Sequence, residues 1–264
     1  MHHIQRINLA LLATVSALLL LTGSAAAITG GQLDGNGHPA VGALVADIPG
    51  VGRVPLCSGT LISPTVFLTA GHCTAELPAL GVTGVWVSFR ATLGPPGDLV
   101  GGTYVTDPAF GHDRGDLHDL AVVLLDAPVV GVAPAALPTS GLLDRLQDAR
   151  ALRGQLFTNV GYGYSGREVG GGQPYFLYDG QRRVSLSPFS ALAKSFLKLQ
   201  GNSNATGLGG VCFGDSGGPA YLGDSTTIAA ITSSGDQACA GASVAYRLDT
   251  LSARQFLARF VALP

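Results

Sequence analysis

Gly214-Asp215-Ser216-Gly217-Gly218-Pro219 sets a serine among glycines, where a sharp turn can hold the hydroxyl exposed and leave its backbone N–H free to donate. A serine Oγ is a weak nucleophile at its free pKa. It reacts when a histidine takes its proton and a carboxylate orients that histidine. Both partners have suitable local contexts. Thr69-Ala70-Gly71-His72-Cys73 follows the apolar run Thr65-Val66-Phe67-Leu68, and in His118-Asp119-Leu120-Ala121-Val122-Val123-Leu124-Leu125 a carboxylate heads a strand-like run. The chemistry this predicts is acyl transfer. Ser216 attacks a carbonyl, His72 carries the proton to the leaving amine, and Asp119 fixes the imidazole tautomer. The N–H groups of Gly214 and Ser216 receive the developing oxyanion.

Chain order discriminates among the scaffolds that run this chemistry. Gly214-x-Ser216-x-Gly218 also fits the nucleophile elbow of α/β-hydrolases, whose histidine follows the serine. The six histidines, His2, His3, His38, His72, His112 and His118, all precede Ser216, which excludes that arrangement. A subtilisin-like order needs an aspartate ahead of the histidine, and neither Asp34 nor Asp47 leads into a buried strand pattern. The order His72, Asp119, Ser216 in these contexts resembles the chymotrypsin/trypsin family of serine proteases. The resemblance runs from Ile28 to the C-terminus. It implies a secreted serine endopeptidase of all-β fold: two antiparallel six-stranded barrels packed together, the triad in the crevice between them, and a C-terminal α-helix. Of the rival carboxylates Asp116, Asp119 and Asp126, the family pattern selects Asp119, directly ahead of the apolar strand. The alternative function is a catalytically silent binding protein on the same fold.

Further residues follow from the resemblance. The base of the primary specificity pocket falls on Gly210, with Ser233, Ser234 and Gly235 on one wall and Val244 on the other. A glycine base offers no countercharge to Arg or Lys, so small or medium uncharged side chains are expected before the scissile bond. Ser234 stands where relatives carry tryptophan, and Ser233 matches a serine near the buried aspartate.

Arg6 precedes an apolar segment, residues 7–21, and then Ala25-Ala26-Ala27, the layout of a secretory signal peptide over residues 1–27. Asn8, Thr14 and Ser16 interrupt it, and it falls short of the roughly 20 strongly apolar residues of a spanning helix. Cleavage after Ala27 exposes Ile28-Thr29-Gly30-Gly31, similar to the start of activated family members, whose freed ammonium pairs with the aspartate before the nucleophile, here Asp215. Signal cleavage alone then yields the active form; cleavage after Ala25 instead leaves a short tail that a second protease must remove.

The 264 residues are 47 % apolar, with 38 glycines and 15 prolines, the composition of a chain of short strands and turns. A net charge of −2 gives no footprint for nucleic acid or an anionic membrane. Strand patterns fall at 40–45, 56–62, 85–89, 121–125, 155–160, 228–233 and 243–246, separated by Gly/Pro/Asp-rich turns. A linker at 128–139 divides residues 28–135 from 136–264, and a helix starts at Asp249 with Leu251, Phe256, Leu257, Phe260 and Val261 on one face. Of the three pairings of four cysteines, a hairpin bringing Cys57 to Cys73 favours one, leaving Cys212 with Cys239. Each closure is worth about 3 kcal/mol in an oxidising compartment. No cofactor or metal is expected. The polar run His112, Asp113, Asp116, His118 reads as a solvated loop, Gly161-x-Gly163-x-x-Gly166 as a glycine turn, and Arg114-Gly115-Asp116 as a surface loop. Expected partners are protein or peptide substrates and proteinaceous inhibitors, with a monomeric enzyme and no nucleic acid or membrane after signal removal.

Overall fold

The computed structural model describes residues 31–94, 99–113, 115–168 and 175–264. The signal segment, Ile28, Arg114 and Gly170-Gly171-Gly172 lie outside them. A short strand β1 (Gln32–Leu33) opens the described chain. Then come β2 (Val41–Ile48), β3 (Gly52–Ser63), β4 (Val66–Thr69), β5 (Val85–Ser88), β6 (Val100–Thr106) and β7 (Ala121–Leu125), closed in the order β2-β3-β4-β7-β6-β5. The interior packs large against small side chains. The Phe67 ring lies over Gly42 and Gly59, and a Cβ on Gly59 would stand 2.5 Å from its Cζ. Alanine at Gly59 would therefore overpack the barrel.

The second barrel uses β8 (Leu156–Gly161), β11 (Arg183–Leu192), β12 (Phe196–Gln200), β13 (Pro219–Leu222), β14 (Ile228–Gly235) and β15 (Ala242–Arg247). Because β8 pairs with both β11 and β13, the six close on themselves, and β1 adds to β11 outside the ring. A ribbon of β9 (Ser165–Glu168) and β10 (Tyr175–Leu177) projects from it. Between the barrels the chain changes hydrogen-bonding partner within one step. Ala135 N–H donates to Leu61 O in the first barrel, and Ala136 N–H donates to Thr226 O in the second.

A buried ion pair fastens the N-terminal segment to the second barrel. Arg182, 1 % exposed, donates from Nε to Asp34 Oδ2 at 2.7 Å and from its other nitrogens to Val41 O, Phe89 O and Gly35 O. Every arm of the fork is satisfied, as a buried guanidinium requires. Among the described residues three α-helices complete the fold: α1 (Leu142–Asp148), α2 (Ser203–Thr206) and the C-terminal α3 (Leu251–Leu257). The expected helix start at Asp249 is displaced by one residue. Thr250 caps α3 by accepting from Ala253 N–H, because the Asp249 carboxylate is taken by Arg247 and by the N–H of Leu143 at the head of α1. Phe260 and Val261 fall after α3 and pack against the core from the following turns.

Candidate active site

His72 sits in a single 3-10 turn (Gly71–Cys73) directly after β4, and Asp119 lies two residues before β7. Since β4 and β7 are neighbours with Thr69 opposite Ala121, the pairing carries both residues to the same end of the barrel. Close approach there depends on Gly71, whose added Cβ would stand 3.0 Å from Leu120 N. His72 Nδ1 is 3.0 Å from Asp119 Oδ2 and 3.1 Å from Oδ1, and the His72 backbone N–H donates to Oδ1 at 2.9 Å. Asp119 is fully buried, and Ser233 Oγ on β14 donates to its Oδ2 at 2.6 Å. The carboxylate thus spans the two barrels.

Ser216 occupies a turn between Gly214 and Gly217, both with positive φ (92° and 77°) that favours glycine. An added Cβ at Gly217 would also lie 2.5 Å from Ser58 O. Among the described residues the N–H groups of Gly214 and Ser216 have no hydrogen-bond acceptor. The turn is tied to the first barrel through Ser58, a residue that sequence reading missed. Ser58 N–H donates to Ser216 O at 2.8 Å, while its Oγ donates to Gly214 O at 2.8 Å and accepts from Tyr162 N–H at 2.9 Å. The only local signal was its place beside Cys57. Disulfides join Cys57 to Cys73 beside His72, and Cys212 to Cys239 ahead of the Ser216 turn.

The buried Asp215 carboxylate, which lines neither cleft described below, accepts from Cys212 N–H and Gly163 N–H at 2.8 Å each. Desolvation pushes its pKa up to about 7 against the pull of those two donors. The carboxylate fills the space where a Gly163 side chain would stand, 2.5 Å from an added Cβ, so the Gly161-Tyr162-Gly163 segment serves this buried acid.

The rival carboxylates do other work. Burial opposes ionisation of Asp116, but hydrogen bonds from Ser252 Oγ and Tyr246 OH, at 2.6 Å each, outweigh it and hold the carboxyl below its usual range. Asp126 is exposed beside Gly101. His118 faces Asp107 at 3.4 Å, so the polar run 112–118 does not converge on one point. Among the described residues the one group with metal-ligand proximity is Cys57, His72 and Cys73, whose thiols are joined to each other.

Two clefts share His72, Phe213 and Ser216. The smaller, about 250 Å³, is lined by Ser233, Ser234 and Gly235 and also by Asp236, which sequence reading missed. The Asp236 carboxylate accepts from the N–H groups of Ala238, Ala240 and Gly241, at 3.1, 3.2 and 2.6 Å, and so folds its own loop. Gly210 and Val244 are not among the lining residues. Gly210 is packed so closely on Gly201 that an added Cβ would stand 2.7 Å from its Cα, and Val244 pairs with Lys198 and Ser234 within the sheet. The larger cleft, about 730 Å³, extends toward the first barrel.

Two closed antiparallel barrels, with a serine turn and a carboxylate-bound histidine on one crevice, define a serine-type endopeptidase domain. Residues 34–253 match the Trypsin family, and the chain belongs to it. Among solved structures, an HL collagenase is 17 % identical with a TM-score of 0.61, over 87 % of this chain and 95 % of that one. No curated protein sequence matches this chain. No helix among the described residues is long and apolar enough to cross a membrane.

Proposed function

We propose that His72, Asp119 and Ser216 form the catalytic triad of a secreted endopeptidase that cleaves after small or medium uncharged residues. One observation carries this reading: a fully buried Asp119 bound to His72 Nδ1, with His72 and Ser216 lining the same two clefts. The buried carboxylate holds the imidazole in the tautomer whose Nε2 accepts a proton. Ser216 Oγ attacks the scissile carbonyl as that proton moves to Nε2. The tetrahedral oxyanion accepts from the N–H groups of Gly214 and Ser216, and the proton then passes to the leaving amine. Water repeats the sequence on the acyl-enzyme.

Uncharged selectivity is supported by the smaller cleft. Its described lining holds no Lys or Arg, and its acid, Asp236, is engaged by three loop N–H groups. Residues 1–27 act as the export signal, and the two disulfides suit the compartment they lead to. Cleavage after Ala27 frees the Ile28 ammonium to pair with Asp215, an acid whose burial disfavours its charge until a cation joins it. Residues 28–135 and 136–264 form the two halves, divided where Ala135 and Ala136 bond to different barrels. The enzyme works as a monomer, open to proteinaceous inhibitors, without metal or cofactor.

A fluorophosphonate probe tests the triad. Labelling of the mature protein that disappears in Ser216→Ala supports it. Absence of labelling in a chain shown by mass spectrometry to start at Ile28 overturns it and marks a silent binding protein.

A further inference from the structure

The two clefts that meet at Ser216 differ in chemistry. The smaller runs along Ser233, Ser234 and Gly235, the segment assigned above to the residue before the scissile bond. The larger draws one wall from the first barrel, with Leu56, Leu77 and Leu80, and the other from Tyr164 and Tyr178, with Phe213 at the junction. Leu80, Tyr164, Tyr178 and Phe213 are 49, 38, 42 and 49 % exposed, and they are four of the eleven large apolar side chains exposed on the described surface. Scattered apolar residues need no explanation, whereas a concentration beside a reactive serine marks a place where something apolar docks. At about 730 Å³ the cleft falls within the range of roughly 300–1,000 Å³ typical of ligand pockets, room for more than one side chain.

We infer that this cleft is a leaving-side specificity site, taking aromatic or large aliphatic side chains from the first two residues after the scissile bond, and that this contact selects substrates more strongly than the residue before the bond. The inference rests on the triad reading above. A peptide whose acyl part lies along Ser233–Gly235 must pass Ser216 and continue into the larger cleft, because both clefts share Ser216 and His72. In acylation the Ser216 Oγ–C bond forms and the C–N bond breaks, and the amine departs with the proton from His72. Apolar grip on that amine's own side chain holds its nitrogen near the imidazole while the bond breaks. Glu76 is the one carboxylate on the described lining, and Lys and Arg are absent from it. Its carboxylate repels a free C-terminus there, which favours bonds well inside a chain.

The test is cleavage of a degenerate internally quenched peptide library by the mature enzyme, with cut sites read by mass spectrometry. The expected result is enrichment of Leu, Ile, Phe and Tyr over Gly and Ser by about tenfold at the first two positions after the cut, exceeding any enrichment before it. In Leu80→Asp and in Tyr178→Asp that enrichment drops toward unity, a ratio within one digest that does not depend on total activity. A flat distribution after the cut, or selection concentrated before it, overturns the inference while cleavage itself leaves the triad standing. Labelling by fluorophosphonate with no peptide cut overturns the inference alone, and neither labelling nor cutting overturns both readings.

Discussion

Asp119 holds three donors on two oxygens with no exposure to water, and each donor has a different task. The His72 backbone N–H sets where the ring starts, Nδ1 sets its tautomer, and Ser233 Oγ fixes the carboxylate from the opposite barrel. In Asp119→Asn the carboxamide can turn its NH₂ toward Nδ1, which forces the proton onto Nε2, and kcat falls about 10⁴-fold. Steady-state kinetics on any hydrolysed peptide checks this, with KM expected to change far less than kcat. Ser233→Ala removes one donor from a buried charge, so unfolding should become easier by about 1–3 kcal/mol. Urea denaturation measures that loss. Ser233→Thr, which restores a hydroxyl, should recover most of it. An unchanged midpoint in Ser233→Ala would remove the barrel-spanning role given to this hydrogen bond.

At the scale of elements, the strands legible in the sequence were those with both faces apolar or with clean alternation, such as β2 and β7. β6 escaped because Gly101 and Gly102 break its pattern, yet Gly102 is demanded by sheet contact, with Leu124 O 2.6 Å from an added Cβ. β11 escaped because Arg183, Ser185 and Ser187 face inward, inverting the apolar alternation that a barrel strand ordinarily shows. Helix α1 also escaped, since its first turn is completed by Asp249 from far along the chain. The site divides the same way. His72, Asp119 and Ser216 announced themselves through neighbours in sequence, whereas Ser58 acts on a turn 156 residues away and Asp236 enters the cleft through a loop closed by its own carboxylate. Arg182 is another long-range element, fastening the β1 segment to β11. Arg182→Met leaves Asp34 buried beside a part-exposed His38, and stability should fall by about 3–5 kcal/mol. The double variant Asp34→Leu/Arg182→Met should recover part of that, because the uncompensated charge is gone; equilibrium denaturation of both variants decides.

At the scale of the whole molecule, Asp215 is buried beside the serine turn against Gly161 and Gly163, and the sign of its titration makes the proposed activation measurable. Its folded pKa of about 7 lies above the usual carboxylate value, chiefly through desolvation, so between these values the folded chain binds more protons than the unfolded one. The stability that Asp215 contributes is then fully present below about pH 4 and declines as pH rises toward about 7, by on the order of a few kcal/mol. This profile belongs to a chain with residues still attached ahead of Ile28, where no ammonium is free to pair with the acid. The proposed Ile28–Asp215 pair predicts the opposite profile for a chain starting at Ile28. An ammonium with an unfolded pKa of about 7.7–8, held charged by Asp215, would stabilise the fold at neutral pH and lose that contribution as pH rises through its raised folded value. Two proteins test this, one beginning at Ala26 and one at Ile28, each unfolded in urea from pH 4 to pH 10 with fluorophosphonate labelling followed in parallel. The longer chain should weaken from acid toward neutral pH and label slowly, and Asp215→Asn should flatten its profile. The shorter chain should hold its stability and labelling through neutral pH and lose both together in the alkaline range. Superimposable profiles for the two chains would refute the Ile28–Asp215 switch, since the ammonium would then have no differential contact with the folded state.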